Sequence, residues 1–191
     1  MGKDRKPESI ECVAITGPSA SGKSMLARKL ARRLGGGRSL ILCQDDYYKD
    51  WSHLPKNKRK KINFDDAKAF DFSLLEKHIG MLKNGKSIQK PRYCFVESKR
   101  LPKRYTLTPK RYIIVEGLMP FFTNRLKKLF DHKIYVDANN GTCLARRIKR
   151  DTRERAETIE SVCLKYFNDV LPMQKKYVEP QRRWADMVIN G

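Results

Sequence analysis

Residues 12–34 read CVAITGPSASGKSMLARKLARRL, and this stretch decides the fold. The apolar run at residues 12–16 predicts a buried strand, and apolar residues recur at helical spacing from Met25 to Leu34. Between them, residues 17–24 match the pattern G-x-x-x-x-G-K-[ST]. A strand, a glycine-containing loop and a helix in this order predict a loop whose backbone N–H groups surround phosphate oxygens at the start of the helix.

This loop predicts a nucleotide site with a defined chemistry. Lys23 is expected to reach the β- and γ-phosphates, and the Ser24 hydroxyl is expected to ligate Mg²⁺. The GTPase motifs N-K-x-D and D-x-x-G do not occur in the sequence. The expected cofactors are therefore Mg²⁺ and ATP, with GTP left open. The predicted nucleotide-binding residues are Gly17, Ser19, Ala20, Ser21, Gly22, Lys23 and Ser24.

The rest of the chain alternates apolar runs with stretches of helical period. Further strand candidates lie at residues 39–43, 112–115, 133–136 and 187–189. Because most of these runs lack polar alternation, they predict a parallel sheet with helices on both faces, an α/β fold of the P-loop NTPase type. We expect a single domain over residues 1–191.

Two helices have predicted ends. One should run from a capping box formed by Ser73 and Glu76 to Gly85, and another from Ile159 to a stop near Pro172. Three segments should surround a ligand at the carboxyl edge of the sheet: insertions at residues 49–72 and 86–110, and an arginine-rich lid at residues 141–157. The second insertion is expected to contain a short β excursion from Ile88 to Val96.

Composition excludes several classes of protein. The 191 residues carry 42 Lys and Arg against 21 Asp and Glu, a formal charge of +21, so an anionic partner is expected. No apolar stretch approaches the roughly 18 residues that span a bilayer, which excludes a membrane protein. Five cysteines lie at least 20 residues apart, and this predicts free thiols in the reducing cytosol.

A kinase needs a base, an acid near the metal and cations for the transferred phosphoryl group. Asp45 follows the second strand directly and is the predicted base, with a share in holding Mg²⁺. Glu116 ends the strand at residues 112–115 and is the second predicted metal ligand. The cations are expected from a cluster in the lid: Arg146, Arg147, Lys149, Arg150, Arg153 and Arg155.

These blocks together resemble the uridine kinase family within the phosphoribulokinase/uridine kinase group. The resemblance covers nearly the whole chain, in the family's order. It is carried by the phosphate loop, Gln44-Asp45-x-Tyr47-Tyr48-Lys49, Asn63-Phe64-Asp65, Pro91-x-Tyr93, Ile114-Val115-Glu116-Gly117, residues 145–151, Glu154-Arg155, Pro172-Met173 and Ala185-Asp186.

The resemblance implies ATP-dependent phosphotransfer to the 5′-hydroxyl of a nucleoside such as uridine or cytidine. It implies that Asp45 is the base, that Asp65 binds the ribose hydroxyls with help from Arg147, and that Tyr93 contacts the pyrimidine. Tyr48, Phe64 and Phe95 are implied as walls of that pocket, and Arg150 and Arg155 as lid arginines that face the triphosphate. Because the family is typically tetrameric, the resemblance is also compatible with a homo-oligomer.

Two residues depart from the family's pattern. Ser98 stands where the family has a histidine that reads the base, and Glu157 stands where it has an arginine. A pocket without its hydrogen-bonding partners loses discrimination. We therefore keep a second hypothesis, a kinase of another ribose-like, sugar or sugar-phosphate acceptor, for which Asp65 and Arg147 would serve equally.

A third hypothesis is a nucleic-acid-binding protein that only senses ATP. It rests on the net charge and on the basic run at residues 56–61, KNKRKK. Aromatic residues do not interleave this run, so we expect only non-specific, salt-sensitive contact with nucleic acid.

Overall fold

The computed structural model describes residues 9–59 and 61–191. Its central sheet has five strands: β1 Glu11–Thr16, β2 Ser39–Cys43, β7 Tyr112–Glu116, β8 His132–Asp137 and β9 Met187–Asn190. Their order across the sheet is β2-β7-β1-β8-β9, and every neighbouring pair is parallel. The predicted α/β fold with a parallel sheet is confirmed.

The helices are α1 Lys23–Arg33, α2 Lys56–Arg59, α3 Phe72–Lys83, α4 Asn124–Leu129, α5 Asn140–Glu154, α6 Ile159–Lys165 and α7 Leu171–Met173. Both faces of the sheet are covered, one by α1 and the other by α3 and α4. Successive residues of β1 point to opposite faces. Ala14 belongs to the buried cluster that includes Leu75 of α3, and Ile15 belongs to the cluster that includes Ala27 of α1. This double burial explains why the strands read as uninterrupted apolar runs.

The start of α3 differs from the predicted one. The helix begins at Phe72, and the Asp71 side chain caps it by accepting a hydrogen bond from the Leu74 N–H at 3.1 Å. The predicted capping box of Ser73 and Glu76 is therefore wrong. Ser73 already lies inside the first turn, where its hydroxyl cannot act as the cap.

The second insertion contains two antiparallel pairs of short strands. They are β3 Ile88–Lys90 with β6 Tyr105–Leu107, and β4 Tyr93–Cys94 with β5 Lys99–Arg100. The predicted excursion therefore exists, but it continues eleven residues beyond Val96. The returning strands are short and largely polar, and for this reason hydrophobicity did not reveal them.

The helical region after α6 does not stop at Pro172. Two π-helical segments, Tyr166–Val170 and Gln174–Val178, flank α7, and a 3₁₀ segment follows at Glu179–Trp184. The predicted stop is wrong because the Leu171 N–H bonds the Tyr166 carbonyl, five residues back. This wider turn admits a proline, which has no N–H to donate, in the first turn of α7.

Two further features concern the described residues only. Across residues 9–59 and 61–191, every helix is too short or too polar to cross a membrane. All five cysteines are free thiols, and Cys12 and Cys143 are buried.

Candidate active site

The phosphate loop leaves the sheet after Thr16 and enters α1 at Lys23. Gly17 has φ 145°, and a Cβ there would lie 2.2 Å from the Val136 carbonyl oxygen, so only glycine fits. The buried Lys23 ammonium donates to the carbonyls of Gly17 at 2.9 Å and Pro18 at 2.6 Å. Burial lowers the pKa of Lys23. The loop thus places one cation at its centre, where phosphate oxygens would offer stronger charge-assisted hydrogen bonds.

An oxygen pair beside the loop fits a hard cation. The Ser24 hydroxyl donates to Glu116 Oε1 at 3.1 Å, and Glu116 is buried at the end of β7. Hydroxyl and carboxylate oxygens are ligands that Mg²⁺ prefers, and a phosphate-bound Mg²⁺ needs only a few protein ligands. Among the described residues no group of three His, Cys, Asp or Glu side chains forms a self-sufficient metal site. Any cation held here must therefore take further ligands from the nucleotide or water.

Asp45 lies on the 3₁₀ turn Gln44–Tyr47, directly after β2. Burial, and then the charge of Glu116, raise the pKa of Asp45 to about 6, against the opposing pull of Arg155, Lys23 and Arg150. A carboxyl group with this pKa is ionised at neutral pH and accepts a proton more readily than an ordinary aspartate.

Gln44 and Gly117 belong to motifs quoted from the sequence, but their role in fixing the turn that carries Asp45 was not predicted. The buried Gln44 side chain accepts a hydrogen bond from the Met119 N–H at 2.7 Å. Gly117 lies so close that a Cβ there would be 2.4 Å from Gln44. The glycine directly after a strand-ending acid was the signal in the sequence, because it marks a close approach of another side chain.

Four of the six clustered lid cations line the same cavity as the loop: Arg146, Arg147, Arg150 and Arg155. The Arg147 Nη1 donates to Ser19 Oγ at 3.0 Å, which ties α5 to the phosphate loop. The Arg155 guanidinium lies 4.0 Å from the centre of the Phe95 ring. Lys149 and Arg153 are exposed and lie outside the cavity lining. The predicted cluster therefore divides between the cavity and solvent.

Aromatic side chains form one wall of the cavity. Tyr48 lies 5.1 Å from both Phe64 and Tyr93, and Tyr93 lies 5.6 Å from Phe95, measured between ring centres. The buried Tyr93 hydroxyl has no hydrogen-bond partner within residues 9–59 and 61–191. A wall of aromatic rings suits a flat ring that can stack against it.

A polar clamp lies against this wall. Asp65 Oδ1 is 3.6 Å from Arg147 Nη1, and both side chains are largely buried. The Asp65 N–H donates to Asn63 Oδ1 at 2.9 Å, and Asn63 Nδ2 donates to Asp169 Oδ1 at 3.3 Å. Burial, and then the charge of Asp65, raise the pKa of Asp169. Sequence reasoning missed Asp169, because nothing in the helical pattern around it signals a site.

One cavity of about 880 Å³ is lined by the phosphate loop, the oxygen pair of Ser24 and Glu116, Asp45, the lid arginines and the clamp. Nearly every predicted site residue lines it: Ser19, Ala20, Gly22, Lys23, Ser24, Asp45, Tyr48, Phe64, Asp65, Tyr93, Phe95, Glu116, Arg147, Arg150 and Arg155. Gly17 and Ser21 do not line the cavity, and they lie close to each other within the loop. The functional roles assigned to these residues stay predictions, but the structure brings the residues together.

The segment of the chain that contains this cavity matches a known protein family. The family model described as phosphoribulokinase/uridine kinase matches residues 12–191, which include all of the cavity. The chain belongs to this family. The resemblance read from the sequence is confirmed, and so is the prediction of a small-molecule kinase.

Two relatives are named uridine kinase. The one from Clostridium perfringens (strain ATCC 13124) is 42% identical over 177 residues, 93% of this chain and 85% of the relative. The one from Tolumonas auensis is 39% identical over 190 residues, 97% and 88% of the two chains. Phosphoribulokinase from Rhodobacter spheroides superposes with a TM-score of 0.70 over 96% of this chain and 71% of its own. Its 15% identity shows a shared fold alone.

The two positions that depart from the family's pattern both lie in the cavity lining. Ser98 is buried at φ 49°, and its hydroxyl donates to the Phe95 carbonyl at 3.3 Å. Glu157 accepts a hydrogen bond from Ser161 at 2.6 Å and pairs with Lys165. Burial alone would raise the pKa of Glu157, but Lys165 and Ser161 lower it. The cavity therefore has a hydroxyl and an ionised carboxylate where the family has a histidine ring and a guanidinium.

The basic run at residues 56–61 lies at the same cavity. Lys56 and Lys61 line it, and Lys56 pairs with Glu97 at 3.0 Å, whereas Lys60 lies outside the described residues. Part of the run thus contributes to the family's binding cavity rather than to a separate surface.

Proposed function

We propose that this chain transfers the γ-phosphoryl group of ATP to the 5′-hydroxyl of a nucleoside. One observation carries the proposal: a single cavity is lined by the phosphate loop, by Asp45, and by the Asp65–Arg147 clamp beside an aromatic wall. The relatives named uridine kinase, at 42% and 39% identity, support a nucleoside acceptor and disfavour the sugar kinase alternative.

The residues divide the chemistry between them. The loop amides and Lys23 hold the β- and γ-phosphates, and Asp45 accepts the proton of the attacking hydroxyl. A bond then forms between that oxygen and the γ-phosphorus, while the bond from the γ-phosphorus to the bridging oxygen breaks and ADP leaves. Arg150 and Arg155 neutralise the charge on the transferred group, which is the main way an enzyme lowers this barrier.

Mg²⁺ would be held by Ser24 and Glu116, with a contribution from Asp45. When bound with the nucleotide, the ion supplies charge neutralisation across the phosphate oxygens. ATP is proposed over GTP only because the guanine-reading motif N-K-x-D does not occur in the sequence.

The acceptor would be held at its two ends. The Asp65 carboxylate accepts hydrogen bonds from ribose hydroxyls, and Arg147 lies beside that carboxylate and orients it. The base stacks on the aromatic wall formed by Tyr48, Phe64, Tyr93 and Phe95. Holding both reactants in one cavity removes much of the entropy cost of a two-substrate reaction.

The test is direct turnover. The purified chain with Mg²⁺ and ATP should convert uridine or cytidine to the 5′-monophosphate, identified by mass spectrometry. A panel of other ribosides, sugars and sugar phosphates run in parallel should show at least tenfold lower kcat/KM. Turnover of a sugar with no turnover of any nucleoside would overturn the proposal.

We also infer a cytosolic location, supported by five free cysteines of which two are buried. A homo-oligomer is proposed from the family's typical assembly alone. Light scattering of the purified chain measures it.

A further inference from the structure

Asp151 holds three arginines of the lid at once. The residue is 3% exposed and lies in the last turn of α5. Its Oδ1 lies 2.7 Å from the Nε of Arg150 and 3.4 Å from the Nε of Arg155, and its Oδ2 lies 3.1 Å from the Nε of Arg147. Of the ion pairs formed by residues 9–59 and 61–191, no other carboxylate contacts three arginines.

In all three pairs the arginine atom nearest to Asp151 is Nε, but only Arg150 Nε donates a hydrogen bond to Asp151, at 2.7 Å. Arg147 and Arg155 lie within ion-pair distance, and Arg147 Nε has no hydrogen-bond partner among the described residues. A guanidinium has five N–H groups in a rigid plane, so a partner on Nε fixes the direction in which the terminal amino groups point. Arg150 is the arginine fixed in this way. Arg147 is oriented by its Nη1, which donates to Ser19 Oγ at 3.0 Å and lies 3.6 Å from Asp65. The hydrogen bond at Nε therefore orients Arg150 and leaves its terminal N–H groups for other partners, while the charge of Asp151 attracts the other two guanidinium groups.

The three arginines reach different parts of the cavity. Arg147 joins the phosphate loop to the clamp, Arg155 lies against the Phe95 ring, and the charge of Arg150 acts on Asp45. Three guanidinium groups this close repel each other, and a carboxylate between them offsets that repulsion. The same side chain is thus in contact with the residues that reach the phosphate site, the clamp and the aromatic wall.

We propose that Asp151 is a positioning residue for phosphoryl transfer: it orients Arg150 through the hydrogen bond from Nε and holds Arg147 and Arg155 beside it by charge, so that the terminal N–H groups of the three arginines face the two substrates. The proposal rests on the proposed function. It adds that the alignment of the lid depends on one buried carboxylate, which lies among the arginines in the lining of the cavity.

The test is Asp151→Asn, which keeps the shape of the side chain and removes its charge. We expect kcat to fall by about 100-fold, because small displacements of charged groups cost about this much in transfer reactions. Asp151→Glu should recover part of the loss. The matched control is Asp131→Asn, since Asp131 pairs with Lys83 and the Cys12 N–H at the opposite edge of the sheet. The control should lower the melting temperature and leave kcat within twofold.

A double-mutant cycle separates positioning from a merely structural role. Because Arg150 makes the only hydrogen bond to Asp151 among the three arginines, Asp151→Asn should cost at least tenfold less in an Arg150→Ala background than in the parent. The proposal is overturned if the losses in kcat of the two single variants multiply in full in the double variant. It is also overturned if the kcat of Asp151→Asn lies within threefold of the parent. Parent turnover reports separately on the proposed function. If the parent turns over no nucleoside, calorimetry of Mg·ATP decides: unchanged affinity in Asp151→Asn refutes the positioning role, and a loss of tenfold or more upholds it.

Discussion

Replacing Asp45 with asparagine tests the predicted base through activity and stability together. The structure raises the pKa of Asp45 from an ordinary value of 3.8 to about 6, so keeping it ionised in the folded state costs about 3 kcal/mol at pH 7. Asparagine removes the charge and this cost. We expect Asp45→Asn to lower kcat by about 10³-fold while raising the stability of the ligand-free protein by about 3 kcal/mol.

The sign of the pH dependence follows from the raised pKa. Between pH 7 and pH 5 the folded parent takes up the proton on Asp45 while the unfolded chain stays ionised, so the parent gains about 1 kcal/mol as pH falls. Asp45→Asn has no carboxylate to protonate at this position, so it lacks this gain. Its stability advantage over the parent should therefore shrink by about 1 kcal/mol between pH 7 and pH 5. Parent kcat/KM should also fall as pH drops below about 6, because the base becomes protonated.

The assay is thermal unfolding at pH 7.5 and pH 5, alongside coupled turnover. An advantage of several degrees is expected at the higher pH, since 1 kcal/mol corresponds to about 2–4 °C in a domain of this size. Asp46→Asn is the matched control: Asp46 pairs with Lys90 and accepts a hydrogen bond from the Tyr93 N–H, so its loss should lower the melting temperature. If Asp45→Asn melts below the parent at pH 7.5, or by the same margin at both pH values, the reasoning is refuted.

Three further variants test other parts of the cavity. Lys23→Met should lower ATP turnover by at least about 10³-fold by removing the ammonium from the phosphates, whereas a nucleic-acid-binding protein would keep its salt-sensitive RNA affinity. Asp65→Asn should raise the nucleoside KM by about 10- to 100-fold with little change in the KM for ATP, because a charged hydrogen-bond acceptor is lost on one side only. If Asp65 served the nucleotide instead, steady-state kinetics with each substrate varied would show a raised KM for ATP and little change in the KM for the nucleoside. Ser98→His with Glu157→Arg should raise kcat/KM for uridine by about tenfold, since both changes restore N–H donors to the cavity; an unchanged or lower value contradicts this role for the two positions.

Local patterns predicted most of the framework. The phosphate loop, the strand ends that carry Asp45 and Glu116, and the parallel sheet were all readable, because a strand and the residue following it are set by short-range chemistry. Helix ends were less readable. The Asp71 cap and the continuation past Pro172 depend on which backbone groups are satisfied within a few residues, and residue type alone leaves several solutions open.

The amino-acid sequence by itself determined that the chain binds a nucleotide phosphate and carries a carboxylate beside it, because each of these features lies in a contiguous stretch whose local conformation is nearly forced. Only the tertiary structure decided which lid cations face the cavity, and that Asp151 and Asp169 join them. These contacts link α5 and the helical region after it to loops more than eighty residues away. They depend on how the helices pack against the sheet, and the residue pattern of one segment does not contain that information.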